Sequence, residues 1–250
     1  MSNKEKINKD DTGAAAADDD VGATAHTGDR RTFLKWGGAG LAALALANAG
    51  RITTFAHPKT DENAVQVTIS LGTGDTGIAN FAYLLEQLEA AFYSRVVANN
   101  FYAGASAEER QVLTDLRDHE IIHREFFRIL LGANGIPQFS AFDFSRVDFN
   151  SRDSVLTNSQ AQEDTGVAAY NGSGQAIVDP NLLALAGKIV SVEGRHASVI
   201  RDLRLPNIGY FAPHSEDFAL DPLEVLTIVS VYLPVGTVVD ASGLPPIVTV

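Results

Sequence analysis

The sequence predicts an all-α fold: a four-helix bundle with one long crossover, set between a disordered N-terminal leader and an irregular C-terminal tail carrying a short helix. Three observations carry this. Between residues 75 and 204, apolar residues recur at helical spacing in four stretches, each bounded by caps or breakers. The links between those stretches run short, long, short. Two of the stretches repeat the pattern Glu-x-x-His inside a stripe that is otherwise apolar. With 250 residues, 45% of them hydrophobic, the chain can build one well-packed domain plus tails.

Residues 1–49 read as a leader. Met1 to Gly28 is polar and rich in Ala, Asp, Lys and Gly, a composition that cannot bury a core. Asp29-Arg30-Arg31-Thr32-Phe33-Leu34-Lys35 follows, then an apolar Gly/Ala-rich run from Trp36 to Ala47, closed by Ala47-Asn48-Ala49 in the A-x-A form of a signal-peptidase site. The arginine pair with Phe33 and Leu34 resembles the twin-arginine export signal; Asp29 stands where that motif usually has serine. The expectation is export to the periplasm, cell surface or medium, with tethering to the membrane if the leader is not cut. The apolar run is shorter than the roughly 20 residues that a membrane span needs.

Residues 50–74 read as an extended linker, in which Val65 to Ile69 alternate like a short edge strand or arm. Asp75 is the expected cap of the first helix, about Thr76 to Asn99. Ser106-Ala107-Glu108-Glu109 opens the second with a capping box; it runs to about Leu131 and stops at Gly132 and Gly135, before Pro137. The connection from Ala133 to Arg152 contains Phe139, Phe142, Phe144 and Phe149, which suit a segment packed down on the bundle. The third helix is expected at about Asp153 to Tyr170, ended by Asn171 and Gly172. Asp179-Pro180 starts the fourth, to about Leu203. The long link lets the third helix run parallel to the second. Residues 205–250 form an extension with a short helix expected over 222–232, where Asp221-Pro222-Leu223-Glu224 repeats the cap and proline signal.

Composition excludes several chemistries. A net charge of −12, with no basic stripe outside the leader, argues against a nucleic-acid partner. The absence of cysteine excludes disulfides, thiolate zinc sites and iron–sulfur clusters. Any metal must be held by oxygen and imidazole nitrogen, donors that suit iron, manganese, zinc or magnesium.

Those donors stand in the two repeated motifs. Glu120-Ile121-Ile122-His123 lies in a stripe of Leu113, Leu116, Phe127 and Leu130; Glu193-Gly194-Arg195-His196 lies in one of Leu182, Ala186, Ile189, Ile200 and Leu203. Residues three apart on a helix differ by about 60° around the axis, so each pair projects from one face. A buried, unpaired carboxylate costs several kcal/mol, roughly, and a cation shared between helices removes that cost. Two such motifs supply half of a two-metal site, and the other helices should each add a glutamate. The first offers Glu86 and Glu89, which periodicity does not separate; the third offers Glu163, with Asp164 beside it.

From about Asp75 to Leu203 the chain resembles the exported ferritin-like family that includes the desiccation-related proteins, within the wider ferritin, rubrerythrin and manganese-catalase fold. The residues that carry the resemblance are Asn80-Phe81-Ala82, Leu85-Glu86 and Glu89-Ala90-Ala91-Phe92-Tyr93 on the first helix, and His119-Glu120 with His123 on the second. They continue with Glu163-Asp164-Thr165-Gly166-Val167-Ala168-Ala169-Tyr170 on the third and Val192-Glu193 with His196 on the fourth. The resemblance implies Glu86 and Glu163 as the single-helix ligands, so that Glu86, Glu120, His123, Glu163, Glu193 and His196 hold two ions, iron or manganese. Tyr93 and Tyr170, seven residues beyond Glu86 and Glu163, then share their faces and are candidates to hydrogen-bond the site or relay electrons. Glu89 is expected beside the site or at the surface, His119 at the surface or in helix packing, and Arg195 paired with an acid such as Glu89 or Asp202.

Three functions suit this reading: a di-iron or dimanganese oxidoreductase acting on O2 or peroxide, an iron-sequestering protein without turnover, and a stress-protective envelope protein whose bundle is a scaffold. The implied partners are metal ions, a small oxidant, the twin-arginine machinery and further copies of the chain in a homo-oligomer.

Overall fold

The structure, a computed structural model, describes residues 66–247. The leader and export signal expected over 1–49, and most of the linker, lie outside the described residues. In chain order the elements are β1 (Val67–Ser70), α1 (Gly74–Val97), α2 (Asn100–Gly104), α3 (Ala107–Leu131), a 3-10 turn (Gly132–Asn134), α4 (Arg152–Gly174), α5 (Pro180–Arg204), α6 (Pro222–Val229), a second 3-10 turn (Ser230–Tyr232) and β2 (Thr237–Asp240).

The helix starts follow their caps. Ser106 accepts from the Glu109 amide at 3.1 Å, Asp179 from Asn181 at 2.8 Å ahead of Pro180, and Asp221 with Glu224 closes a full capping box. Each such cap contributes about 1 kcal/mol. Two boundaries differ from expectation. Asp75 does not cap α1, which begins at Gly74; its carboxylate instead accepts the Val178 and Asp179 amides at 2.9 and 2.7 Å and so ties the start of α1 to the start of α5. Asn171 and Gly172 do not end α4, which continues to Gly174.

Side-chain pairs fix the helix directions. Glu86 of α1 meets Tyr170 of α4, while Tyr93, further along α1, meets the earlier Glu163, so α1 and α4 are antiparallel. Asp164 with Arg201 and Gln160 with Arg204 make α4 and α5 antiparallel. Tyr102 of α2 with Thr114, and Glu86 of α1 with His123, fold the first two helices back on α3. Thus α3 and α4 run parallel across the long connection, as the loop order predicts.

That connection is held to α1 by buried amides. The Asn80 side chain donates to the carbonyls of Leu71 and Asn134 and accepts the Ile136 amide; Gln87 accepts the Phe139 amide at 2.7 Å. Phe144 and Phe149 are buried against Phe92, with Arg95 4.8 Å above the Phe149 ring, whereas Phe139 and Phe142 are only half-buried. Covered in this way, α1 is buried without a break from Gly77 to Ala90.

The C-terminal extension packs on α4. The Leu220 amide donates to the Ala168 carbonyl, Asn171 donates to the Phe218 carbonyl, and a β-carbon on Gly172 would lie 2.0 Å from the Leu220 oxygen. Glycine at 172 therefore serves close approach and not helix termination. The short helix predicted over 222–232 is α6 followed by the 3-10 turn. Beyond it, β2 pairs in parallel with β1, Val67 opposite Thr237 through Ser70 opposite Asp240. Among the described residues no helix is long and apolar enough to cross a membrane.

Candidate metal centre

The inward stripes of α3 and α5 bring their two motifs together at the middle of the bundle, while α1 and α4 each add one glutamate. Glu86, Glu120 and Glu163 are fully buried, and Glu193 and His196 nearly so. Two groups of donors result: Glu86, Glu120, His123 and Glu193, and then Glu120, Glu163, Glu193 and His196, with the donor atoms of each group within 4.8 Å of one another. Glu120 and Glu193 belong to both. One apolar member of the predicted stripes is misplaced: Leu130 is exposed, and Leu131 takes the buried position at the end of α3.

The geometry of the contacts fits a cation better than a set of ordinary hydrogen bonds. His123 Nδ1 lies 2.9 Å from Glu193 Oε1, and His196 Nδ1 lies 2.8 Å from Glu120 Oε1. Both oxygens nevertheless lack a hydrogen bond of sound direction, as do the buried Oε2 atoms of Glu86 and Glu163. Four buried carboxylate oxygens without such a partner are costly unless something charged sits among them. The donors are carboxylate oxygen and imidazole nitrogen without sulfur, a set suited to iron, manganese, zinc or magnesium.

Without a cation the imidazoles carry the compensating charge. Burial penalises charged His123, but Glu120, Glu193 and Glu86 outweigh it and push the pKa up to about 12. His196 is raised as well, burial being overcome by Glu163, Glu120 and Glu193. Burial likewise opposes ionised Glu193, yet the two histidines hold it down at about 2. Burial dominates at Glu163, raising it to about 7, and at Glu120, which stands well above the usual carboxylate range.

Around these six side chains the arrangement is reciprocal. Tyr93 of α1 donates to Glu163 of α4, and Tyr170 of α4 donates to Glu86 of α1, each at 2.5 Å. Both tyrosines are thus bound to the site's carboxylates. The reciprocity fails at one place. Glu89, one turn beyond Glu86, is buried, and its counterpart one turn beyond Glu163 is Gly166; a β-carbon there would stand 3.1 Å from Glu89 Oε1. Glu89 therefore fills the space that Gly166 leaves, and burial together with Glu163 raises its pKa well above the ordinary value.

Two expectations change, at His119 and Arg195, while Asp164 stands apart from the donor groups. His119 is exposed, yet it does not face away from the centre: its Nδ1 lies 2.9 Å from His196 Nε2 and the two rings stack. Asp164, the competitor of Glu163, turns from the site to pair with Arg201 at 2.6 Å. Arg195 is exposed and makes no ion pair among the described residues, with Glu89 or otherwise. The sequence signal for His119 is its spacing of four from His123, which puts both imidazoles on adjoining turns of one helix.

Residues 74–205, more than half of the chain, match the family model described as ferritin-like domain. No curated protein matches the chain.

Proposed function

This chain belongs to the ferritin-like domain family, and from that premise we propose that it is an exported dimetal-carboxylate protein that binds two iron or manganese ions and reacts with O2 or peroxide. The observation that carries the reading is the sharing of Glu120 and Glu193 between the two donor groups. In this reading Glu120 and Glu193 would help to hold both ions, Glu86 and His123 would complete the donors for one, and Glu163 and His196 those for the other.

Two iron or manganese ions held there would supply one electron each, enough with two protons to reduce dioxygen to hydrogen peroxide or peroxide to two waters. The chain's own part is to hold the donors and keep water scarce. Tyr93 and Tyr170 fix the Oε1 atoms of Glu163 and Glu86, leaving each Oε2 free to face an ion. The His119 ring, against His196 Nε2, sets the orientation that aims Nδ1 inward. Export rests on Arg30-Arg31 with the apolar run behind it, and on the resemblance to the exported desiccation-related proteins. A route for folded cargo allows metal to be loaded before crossing, which matters where availability and not raw affinity selects the metal.

The test is metal analysis of protein recovered after export, with Fe(II)-oxidation and peroxide-disproportionation assays. Two ions per chain with turnover is expected. Bound iron without turnover would leave sequestration, and a metal-free, fully stable bundle would leave a scaffold.

A further inference from the structure

Where α1 and α5 begin and α3 and α4 end, the bundle holds a small apolar pocket of about 20 Å³. Four alanines, Ala79, Ala82, Ala169 and Ala186, line it and leave the room. No charged residue lines it. Its position relative to the centre is fixed by sequence spacing: Ala82 precedes Glu86 by one turn, and Ala186 precedes Glu193 by two. Tyr170 forms part of the wall while its hydroxyl donates to Glu86. The pocket therefore ends against a side chain bonded to the centre.

One polar atom distinguishes the lining. Ser173 is buried and its hydroxyl has no hydrogen-bond partner. An unpartnered buried hydroxyl in an apolar wall suits an occupant that accepts one weak hydrogen bond and needs no more. Hydrogen peroxide would exchange its hydrogen bonds to water for that single hydroxyl, whereas a nonpolar diatomic loses none on entry and gains dispersion contacts.

We propose that this apolar pocket is a binding site for dioxygen, lying between the end of the bundle and the Glu86 side of the centre. The proposal rests on the dimetal reading above and narrows its oxidant to dioxygen.

The direct test is xenon pressurisation of crystals of the full chain, with xenon expected against Ala82, Ala169 and Ala186. Ordered water in the pocket with no xenon overturns the proposal, and this measurement needs neither metal nor a variant. In iron-loaded protein, Ala186→Phe and Ala82→Leu should each raise the KM for dioxygen about 10-fold, with metal stoichiometry, kcat at saturating dioxygen and the rate with added peroxide unchanged. A wild-type KM in both filled variants, with their pockets shown closed to xenon, also overturns it. Metal stoichiometry in the unaltered protein reports separately on the dimetal reading: its absence there sinks that reading, while a two-ion protein with unmoved dioxygen kinetics sinks only the pocket.

Discussion

Glu193 is held ionised by two imidazoles, and those imidazoles are held protonated by the carboxylates around them, so each residue of the centre depends on the rest. Removing either a carboxylate common to both donor groups or a donor nitrogen should be severe. His123→Ala and Glu193→Ala are expected to abolish stoichiometric metal, measured by elemental analysis after dialysis. His119→Ala should retain two ions and lower affinity by about 10- to 100-fold in a chelator competition, because its ring orients a donor without being one. Equal loss in all three would contradict the donor assignment. The same residues set the pH response of the cation-free protein. His123, raised to about 12, contributes stability that is whole below 6.5 and is lost as pH climbs through 12; Glu163, raised to about 7, acts in the same direction from 4.5 upward. Glu193, lowered to about 2, contributes above 4.5 and loses its contribution as pH falls through 2. Cation-free protein should therefore be most stable near 4.5 and lose stability above it, more steeply past 6.5. Thermal melts in chelator across that range check this; a midpoint that climbs with pH would refute it. Metal must displace the imidazole protons, so manganese should bind more tightly as pH rises.

At the level of helices and loops, Gly172 is the most sensitive position outside the centre. Gly172→Ala drives a methyl group into the Leu220 carbonyl, so the extension must lift or α4 must bend, at a cost of about 1–3 kcal/mol. Hydrogen exchange should show lost protection at Leu220 and α6, with metal content intact. Helix starts were legible because serine, aspartate and proline act within a few residues of themselves. Gly172 was misread as a stop because glycine serves two purposes, and only the distant Leu220 shows which. Glu120, His123, Glu193 and His196 stood out because α3 and α5 bury one face each, so a charged residue on that face is anomalous. The choice between Glu86 and Glu89 was hidden for the opposite reason: α1 is buried all round from Gly77 to Ala90, and an amphipathic pattern cannot mark an inward side on a helix that has no outward one. Asn80 and Gln87 were hidden too, since an amide that anchors a loop more than fifty residues away leaves no local trace.

Taken whole, the bundle is two helical hairpins that answer each other across the centre, Glu86 and Tyr93 matched by Glu163 and Tyr170. A cation held by all four long helices should stabilise the molecule as a unit. Manganese at 1,000 times its dissociation constant should add about 4 kcal/mol to the free energy of unfolding, read from denaturant melts with and without the ion. An unchanged midpoint would mean that the centre binds nothing in the folded state. The closure of β1 by β2 has a different outcome. Val67 waits for Thr237, so the earliest of the described elements to leave the ribosome is the last to find its mate, after a loop that spans every helix. Until translation has passed Asp240 the first strand therefore keeps a bare edge, and the clasp that covers it can close only on a chain whose helices have all been made.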